Sequence, residues 1–292
     1  MKEADISIVI VNWKVRALVE KCLKSVLADT KDFSTEIFLV DNDSRDGTPE
    51  MIMAEYPEVT MIALPYNRGF ASANNLALKQ SSGKYLFLLN PDTEVQPGFF
   101  KTIINYLETH PEVGILGPRI LNSDFSLQES IRRFPSLLSQ LIILLKLRHT
   151  FLGQHLLKKY LAKDFDYNRE EDVEQIMGAA MVIRREAFEK IGYLDEKFFV
   201  WFEEVDYCQR AIDQKIVIRY LPTCAILHHN GASFKKQRIL RKQLIFNKSL
   251  IHYFYKHKPF WQLLIILLIL PVNILLTAFY SWWFNNYQAK DE

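Results

Sequence analysis

The chain reads as an α/β protein with a single, Rossmann-like, mainly parallel sheet flanked by helices, and two observations lead there. Short apolar runs, several of them β-branched, alternate with segments of helical spacing, which is the pattern of successive βαβ units. The runs also stop abruptly in polar turns, and in open α/β sheets the crevice beyond the strand ends is where ligands collect. Residues 6–11 (ISIVIV) form the first strand, and 17–27 a helix with Leu18, Cys22 and Val26 on one side. A second strand at 36–40 runs into Asp41-Asn42, and Pro49 suits the first turn of a helix over 48–56. A strand at 59–64, a helix at 70–80 and a fourth strand at Tyr85–Leu89 continue the alternation. Helix Phe99–Thr109 and a short strand over 113–119 follow.

The middle, 121–173, departs from this rhythm. Residues 136–147 are strongly apolar but interrupted by Gln140 and Lys146, and 158–174 are charged. Coming after the basic pair Arg132-Arg133, the apolar stretch suits a packing helix, a membrane-surface helix or an insertion on the acceptor side of a site. Regular structure resumes over 175–184, with a helix from Glu186 and strand-like pieces at 216–220 and 225–227.

Three turns carry chemistry. Residues 40–48 (VDNDSRDGT) place the side-chain acceptors Asp41, Asn42, Asp43 and Ser44 at a strand end, where they either cap the next helix or receive the donors of a nucleoside. Residues 67–75 (NRGFASANN) enter a helix through Gly69, which permits close backbone approach at an anion-favouring helix start. The fourth strand ends in Asn90-Pro91-Asp92, a turn whose carboxylate is either solvated or a ligand for a hard divalent cation shared with substrate phosphates. Neither a G-x-G-x-x-G nor a Walker A sequence is present, so the dinucleotide and P-loop readings lose their main support.

Composition narrows the partners. The 292 residues carry 36 Lys+Arg against 34 Asp+Glu, so no global charge argues for nucleic acid, although basic residues cluster at Lys158-Lys159, Lys235-Lys236, Arg238 and Arg241-Lys242. Cys22, Cys208 and Cys224 are odd in number and lack metal-ligand spacing, usage that fits a reducing compartment. Glu3 and Asp5 precede an apolar run too short for a signal peptide. Residues 260–284 carry no charge and are long enough to span a bilayer, with Trp261 at one end and Tyr280, Trp282 and Trp283 at the other as interfacial belts. Lys256, His257 and Lys258 precede the segment, while Lys290 is balanced by Asp291 and Glu292, which keeps the N-terminal bulk in the cytoplasm. Pro271 and Asn273 leave a kinked span, a re-entrant segment and an interfacial helix open.

Taken together, IVIVNW (8–13 with its lead-in), VDNDSRDGT, NRGFASANN, LLNPDTEV and the long segment MGAAMVIRREAFEKIGYLDEKFFVWFEEVDYCQRA (177–211) resemble the bacterial family 2 glycosyltransferases of the GT-A fold. The likeness covers about 6–234 and is nearest the rhamnosyltransferase-like branch. It implies inverting transfer of a sugar from a nucleotide diphosphate sugar, dTDP-rhamnose among the candidates, to a glycan or lipid-linked acceptor in cell-surface polysaccharide or lipopolysaccharide assembly. By the resemblance, Asp41 meets base and ribose with help from Val11 and Asn12. Asn42, Ser44, Asn67, Arg68, Gly69 and Asn74 border the nucleotide, and Asn90 stands where the strict D-x-D motif has its first Asp. Asp92 ligates Mg²⁺ or Mn²⁺, joined by His228 or His229, only one of which can face the site from a strand. Glu204, where Asp is commoner, is the general base with Glu203 beside it, a role that competes with a simple charged helix N-terminus.

The expected organisation is a catalytic domain at 1–240, a basic linker helix at 241–259, a membrane segment at 260–284 and a polar tail at 285–292, anchored at the cytoplasmic leaflet. The competing readings are an inert, membrane-docked nucleotide-sugar-binding module and a nucleotidyltransferase, which would release pyrophosphate instead of a nucleoside diphosphate.

Overall fold

Seven consecutive buried residues make up β1 (Ile6–Asn12), and their side chains divide between two apolar clusters, Ile6, Ile8 and Ile10 on one face and Val9 and Val11 on the other. A strand buried on both faces belongs in the middle of a helix-covered sheet. In this computed structural model, which describes residues 4–229 and 239–288, β1 lies between β2 (Thr35–Asp41) and β4 (Tyr85–Leu89), parallel to both, with β3 (Val59–Ala63) parallel beyond β2. Helices α1 (Arg16–Asp29), α2 (Thr48–Glu55) and α3 (Phe70–Leu78) make the crossovers.

The other half of the sheet is mixed. β8 (Ala180–Arg184) runs antiparallel between β4 and β6 (Val113–Leu121), and β9 (Val217–His228) returns parallel to β6. Two short antiparallel strands complete the sheet against β9, β5 (Thr93–Val95) and β7 (Glu171–Asp172). The order is β3-β2-β1-β4-β8-β6-β9-β5, with β7 off this path. The two strand-like pieces expected around 216–227 are one strand. The register with β6 slips between Pro118 and Arg119, and that bulge takes up Pro222, which has no N–H to offer a ladder.

The middle segment forms α5 (Leu137–Leu144), capped by Ser136 Oγ accepting from Ser139 N–H, and α6 (Phe151–Leu157), capped by Thr150. Helix α4 (Phe99–Thr109) precedes β6, and α7 (Arg185–Ile191) and α8 (Glu203–Asp213) lie between β8 and β9. The chain closes with α9 (Ile239–His257) and α10 (Phe260–Gln288). These two pack with α5 and the start of α8 around a third apolar cluster that includes Phe198, Phe202, Leu250, Phe254 and Ile266. The basic positions Lys235, Lys236 and Arg238 lie outside the described residues.

Candidate active site

A cavity of about 380 Å³ opens at the carboxyl ends of β1, β2 and β4. Val11 and Trp13 reach it from the end of β1, Asn42 from β2, Asn90, Pro91 and Asp92 from the turn after β4, and His228 from the end of β9. The opposite wall is Met177-Gly178-Ala179 with Phe199, Val200 and Trp201, and the first two residues of α8, Glu203 and Glu204, complete it.

The entry to α3 is pinned against that far wall. Phe70 N–H donates to Phe199 O at 2.7 Å, and Gly69 sits at φ +85°, where a Cβ would meet the same carbonyl at 2.5 Å. Only glycine fits there without moving the wall. Asn42 ties the turn to β2, accepting from Arg68 N–H (2.7 Å) and donating to Gly69 O (3.1 Å). Asn67 accepts from Gly69 N–H.

Several residues expected to touch nucleotide are used differently. Asp41 is buried away from the cavity wall, its Oδ1 accepting from Asn12 Nδ2 (2.9 Å) and its Oδ2 from Ser44 N–H (3.0 Å). Asn12 also donates to Ser44 Oγ and Thr48 Oγ1. These bonds hold the 41–48 loop against the end of β1, and Asn12 Oδ1 is left buried without a hydrogen-bond partner among the described residues. Arg68 is exposed off the cavity, and Asn74 is buried in α3 with its Nδ2 on Phe70 O. Neither lines the cavity.

Asp92 and His228 do converge. Both are buried, with His228 Nε2 at 3.4 Å from Asp92 Oδ1. The tautomer of His228 follows from its neighbours. Leu127 O can only accept, so it fixes Asn122 Nδ2 on its side (3.4 Å) and leaves Asn122 Oδ1 to accept from Gln128 Nε2 (2.8 Å). Gln128 Oε1 then accepts from His228 Nδ1–H at 2.7 Å. A neutral His228 therefore turns its Nε2 lone pair toward the Asp92 carboxylate, and such outer hydrogen bonds orient metal-binding imidazoles. A carboxylate and an imidazole facing each other are a donor pair that fits a divalent cation. Among the described residues no third His, Cys, Asp or Glu joins them, so further ligands would be phosphate oxygens and water. His229 does not share the site. Its ring bridges Glu94 Oε1 and Ser123 Oγ, each at 2.7 Å, because adjacent strand residues face opposite ways.

The acidic wall is held open by backbone strain. Trp201 and Phe202 are consecutive non-glycine residues at φ +65° and +71°, and Phe202 caps α8 from the left-handed region. The Phe202 ring is buried against Phe246 and Tyr253. One turn along, Asp206 is fixed to α9, accepting from His257 Nε2 and Lys256 Nζ, each at 2.7 Å, and from Arg210 Nε within α8. Glu203 and Glu204 have no such partners, and one oxygen of each, Oε2, is buried without a hydrogen bond among the described residues. Burial raises both carboxyls, Glu203 well above the ordinary range with the Glu204 charge adding to the effect. In Glu204, backbone N–H groups at the start of α8 oppose the rise. Gly178 gives Glu204 its room, since a Cβ there would lie 3.3 Å from Glu204 Cβ. Trp13 and Gly178 lie inside motifs quoted from the sequence but were given no role there, and Gln128 was not singled out. Trp13 follows a strand end, a usable signal, whereas the other two act through contacts between distant segments.

Residues 7–192 match the family described as glycosyl transferase family 2. The chain is similar to N-acetylglucosaminyl-diphospho-decaprenol L-rhamnosyltransferase of Mycobacterium tuberculosis, 27% identical over 241 residues that cover 77% of this chain and 76% of the relative. It is 22% identical to the dTDP-rhamnosyl transferase RfbF of Shigella flexneri, over 72% of this chain and 65% of that protein. Among solved structures, mannosyltransferase PcManGT from Pyrobaculum calidifontis, in complex with GDP-Man and Mn²⁺, superposes with a TM-score of 0.58 at 16% identity, covering 95% of this chain and 74% of that one.

Proposed function

The chain belongs to glycosyl transferase family 2, and on that premise we propose an inverting transfer in which Glu204 is the general base and Asp92 and His228 hold Mg²⁺ or Mn²⁺. The observation that carries this reading is the Glu203–Glu204 pair, each with a buried oxygen that has no hydrogen-bond partner among the described residues, on the cavity that Asp92 and His228 also line. Buried carboxyl oxygens left without a donor are unfavourable for folding alone and are concentrated at sites that handle protons.

The step balances simply. The acceptor hydroxyl oxygen forms a bond to the anomeric carbon while the carbon–oxygen bond to the diphosphate breaks, and the hydroxyl proton passes to Glu204. Burial makes Glu204 a stronger base than an exposed carboxylate. Burial and the neighbouring Glu204 charge both push the Glu203 carboxyl up. A bound divalent cation would supply neutralisation of the leaving diphosphate. Asn42, Asn67 and Gly69 border the donor, Asn90 faces the same cavity, and Val11 with Trp13 offers an apolar wall to a base.

The relatives' names support rhamnose as donor sugar, from a dTDP carrier, and a lipid-linked glycan as acceptor. Helix α10 has an apolar stretch, Phe260–Trp283, long enough to cross a bilayer, which supports attachment at the cytoplasmic leaflet. On this reading 1–240 form the catalytic domain, with 121–173 on its acceptor side, 241–259 link it to the membrane segment 260–284, and 285–292 are a tail.

The test is release of nucleoside diphosphate by the purified protein across a panel of nucleotide sugars with and without Mn²⁺. The expected result is metal-dependent release, strongest with dTDP-rhamnose. Release of pyrophosphate, or no turnover of any donor in the presence of a lipid-linked acceptor, would overturn it.

A further inference from the structure

Helix α10 has two opposite faces, and only one is available to lipid. Leu263, Ile266, Leu270, Asn273 and Thr277, spaced three and four apart, are buried against the protein. Leu264, Leu268, Val272, Leu275, Phe279 and Trp282 run along the other side, and all are exposed, Leu268 to 75% and Leu275 to 70%. A free span meets lipid all round its circumference, whereas this helix is seated on the rest of the protein for about four turns.

What it is seated on decides its orientation. Asn273, mid-helix, accepts from Asn247 Nδ2 of α9 (3.0 Å) and donates to Leu144 O at the end of α5 (2.7 Å). Were Phe260 and Trp283 at opposite interfaces, Asn273 would lie near the bilayer midplane and take Asn247 and the exposed Lys248 there with it. A lysine at that depth costs about 2.5–3.5 kcal/mol or more. The charge beside the apolar face is also one-sided. The sequence has no Asp or Glu between Asp213 and Asp291, and Arg241, Lys242 and Lys248 of α9 have no acidic partner among the described residues.

We propose that α10 lies in the plane of an anionic leaflet, with its Asn273 side on α9 and α5 and its Leu268–Leu275 side in the acyl boundary, and that the chain does not cross the bilayer. A row of apolar side chains about 30 Å long, on a helix packed against α9 whose Arg241, Lys242 and Lys248 have no acidic partner among the described residues, matches an in-plane helix on phosphate headgroups. The arrangement deepens the membrane attachment proposed above. Asp206 bolts α8 to Lys256 and His257 of α9, so the Glu203–Glu204 wall is carried at a fixed height over the leaflet where a lipid-linked acceptor presents its glycan.

The test uses full-length protein on phosphatidylglycerol–phosphatidylethanolamine vesicles, with nitroxides at Leu264→Cys, Val272→Cys and Phe279→Cys, one per variant. Equal, shallow depths at the three sites are expected, together with a cysteine appended after Glu292 that stays on the same side as the catalytic domain. A span would set position 272 about 12 Å deeper than 264; that, with the appended cysteine on the far side, would overturn the in-plane helix and leave membrane attachment standing. Failure to bind vesicles, or a soluble dimer that shields all three labels, would overturn both. Arg241→Gln with Lys248→Gln should weaken vesicle binding roughly thirtyfold at two cations of about 1 kcal/mol each. None of these readouts needs turnover, so they stand or fall apart from the transferase reading.

Discussion

The end of β2, behind the cavity wall, and the start of α8, on that wall, both carry carboxylates, and they treat them in opposite ways. In the 41–48 loop, Asp41 is buried with both oxygens accepting, from Asn12 and from Ser44 N–H. At the start of α8, Glu203 is buried and Glu204 half-buried, and each has a buried oxygen with no hydrogen-bond partner among the described residues. Asp206, one turn further along the same helix, returns to the first pattern, with Arg210, Lys256 and His257 around it. Burial alone therefore does not mark a functional acid. What marks it is a buried carboxyl oxygen left without a donor, because fold stability gains nothing from such an atom and proton transfer does.

That contrast can be broken at its structural end first. Asp206→Asn should cost about 2–4 kcal/mol in chemical denaturation, since it strips a fully buried carboxylate from Arg210, Lys256 and His257 while two of these can turn to water. Asp41→Asn should cost less, about 1–3 kcal/mol, by setting an amide N–H against the Asn12 or Ser44 donor. A neutral result for either would remove it from the structural class.

The pH dependence sharpens the same division, and its two signs are opposite. Burial works to raise the Asp206 carboxyl, but the His257 hydrogen bond, Arg210 and Lys256 outweigh it and hold it low. Its contribution is therefore present above the ordinary carboxylate range and is lost as pH falls through the lowered value. Glu203 is raised by burial and by Glu204, so the folded state binds a proton that the unfolded state has released, and stability declines as pH rises above about 4.5. Glu203→Gln should remove that decline, leaving a variant more stable than the parent at neutral pH and equal to it near pH 4. Thermal denaturation across pH 4–8 reads the difference, and parallel curves for the two proteins would contradict it.

Much of this was legible in the residues and some was not. The four parallel strands read directly, because continuous apolar runs such as Ile6–Asn12 can only be buried on both faces. Asp92, Glu203 and Glu204 were visible as acids in motif-like surroundings, and all three line the cavity. Three-residue β5 was missed because it is held by pairing with β9, 131 or more positions away, and not by its own pattern. The inward turn of Asp41 was invisible for a similar reason, since Asn12 and Thr48 reach its loop only after β1 and β2 pair. Gln128 sits a hundred residues from His228 and orients it through a single hydrogen bond, which no local spacing encodes.

The central claim is that Glu204 moves a proton and does not hold the site together. Comparing Glu204→Gln with the parent enzyme for both nucleoside diphosphate release and nucleotide-sugar affinity tests it most directly. A general base predicts a fall in kcat of about 10²–10⁴-fold, with donor affinity and folding stability unchanged or improved. A variant that keeps kcat within a few-fold, or loses donor binding in step with activity, would contradict it.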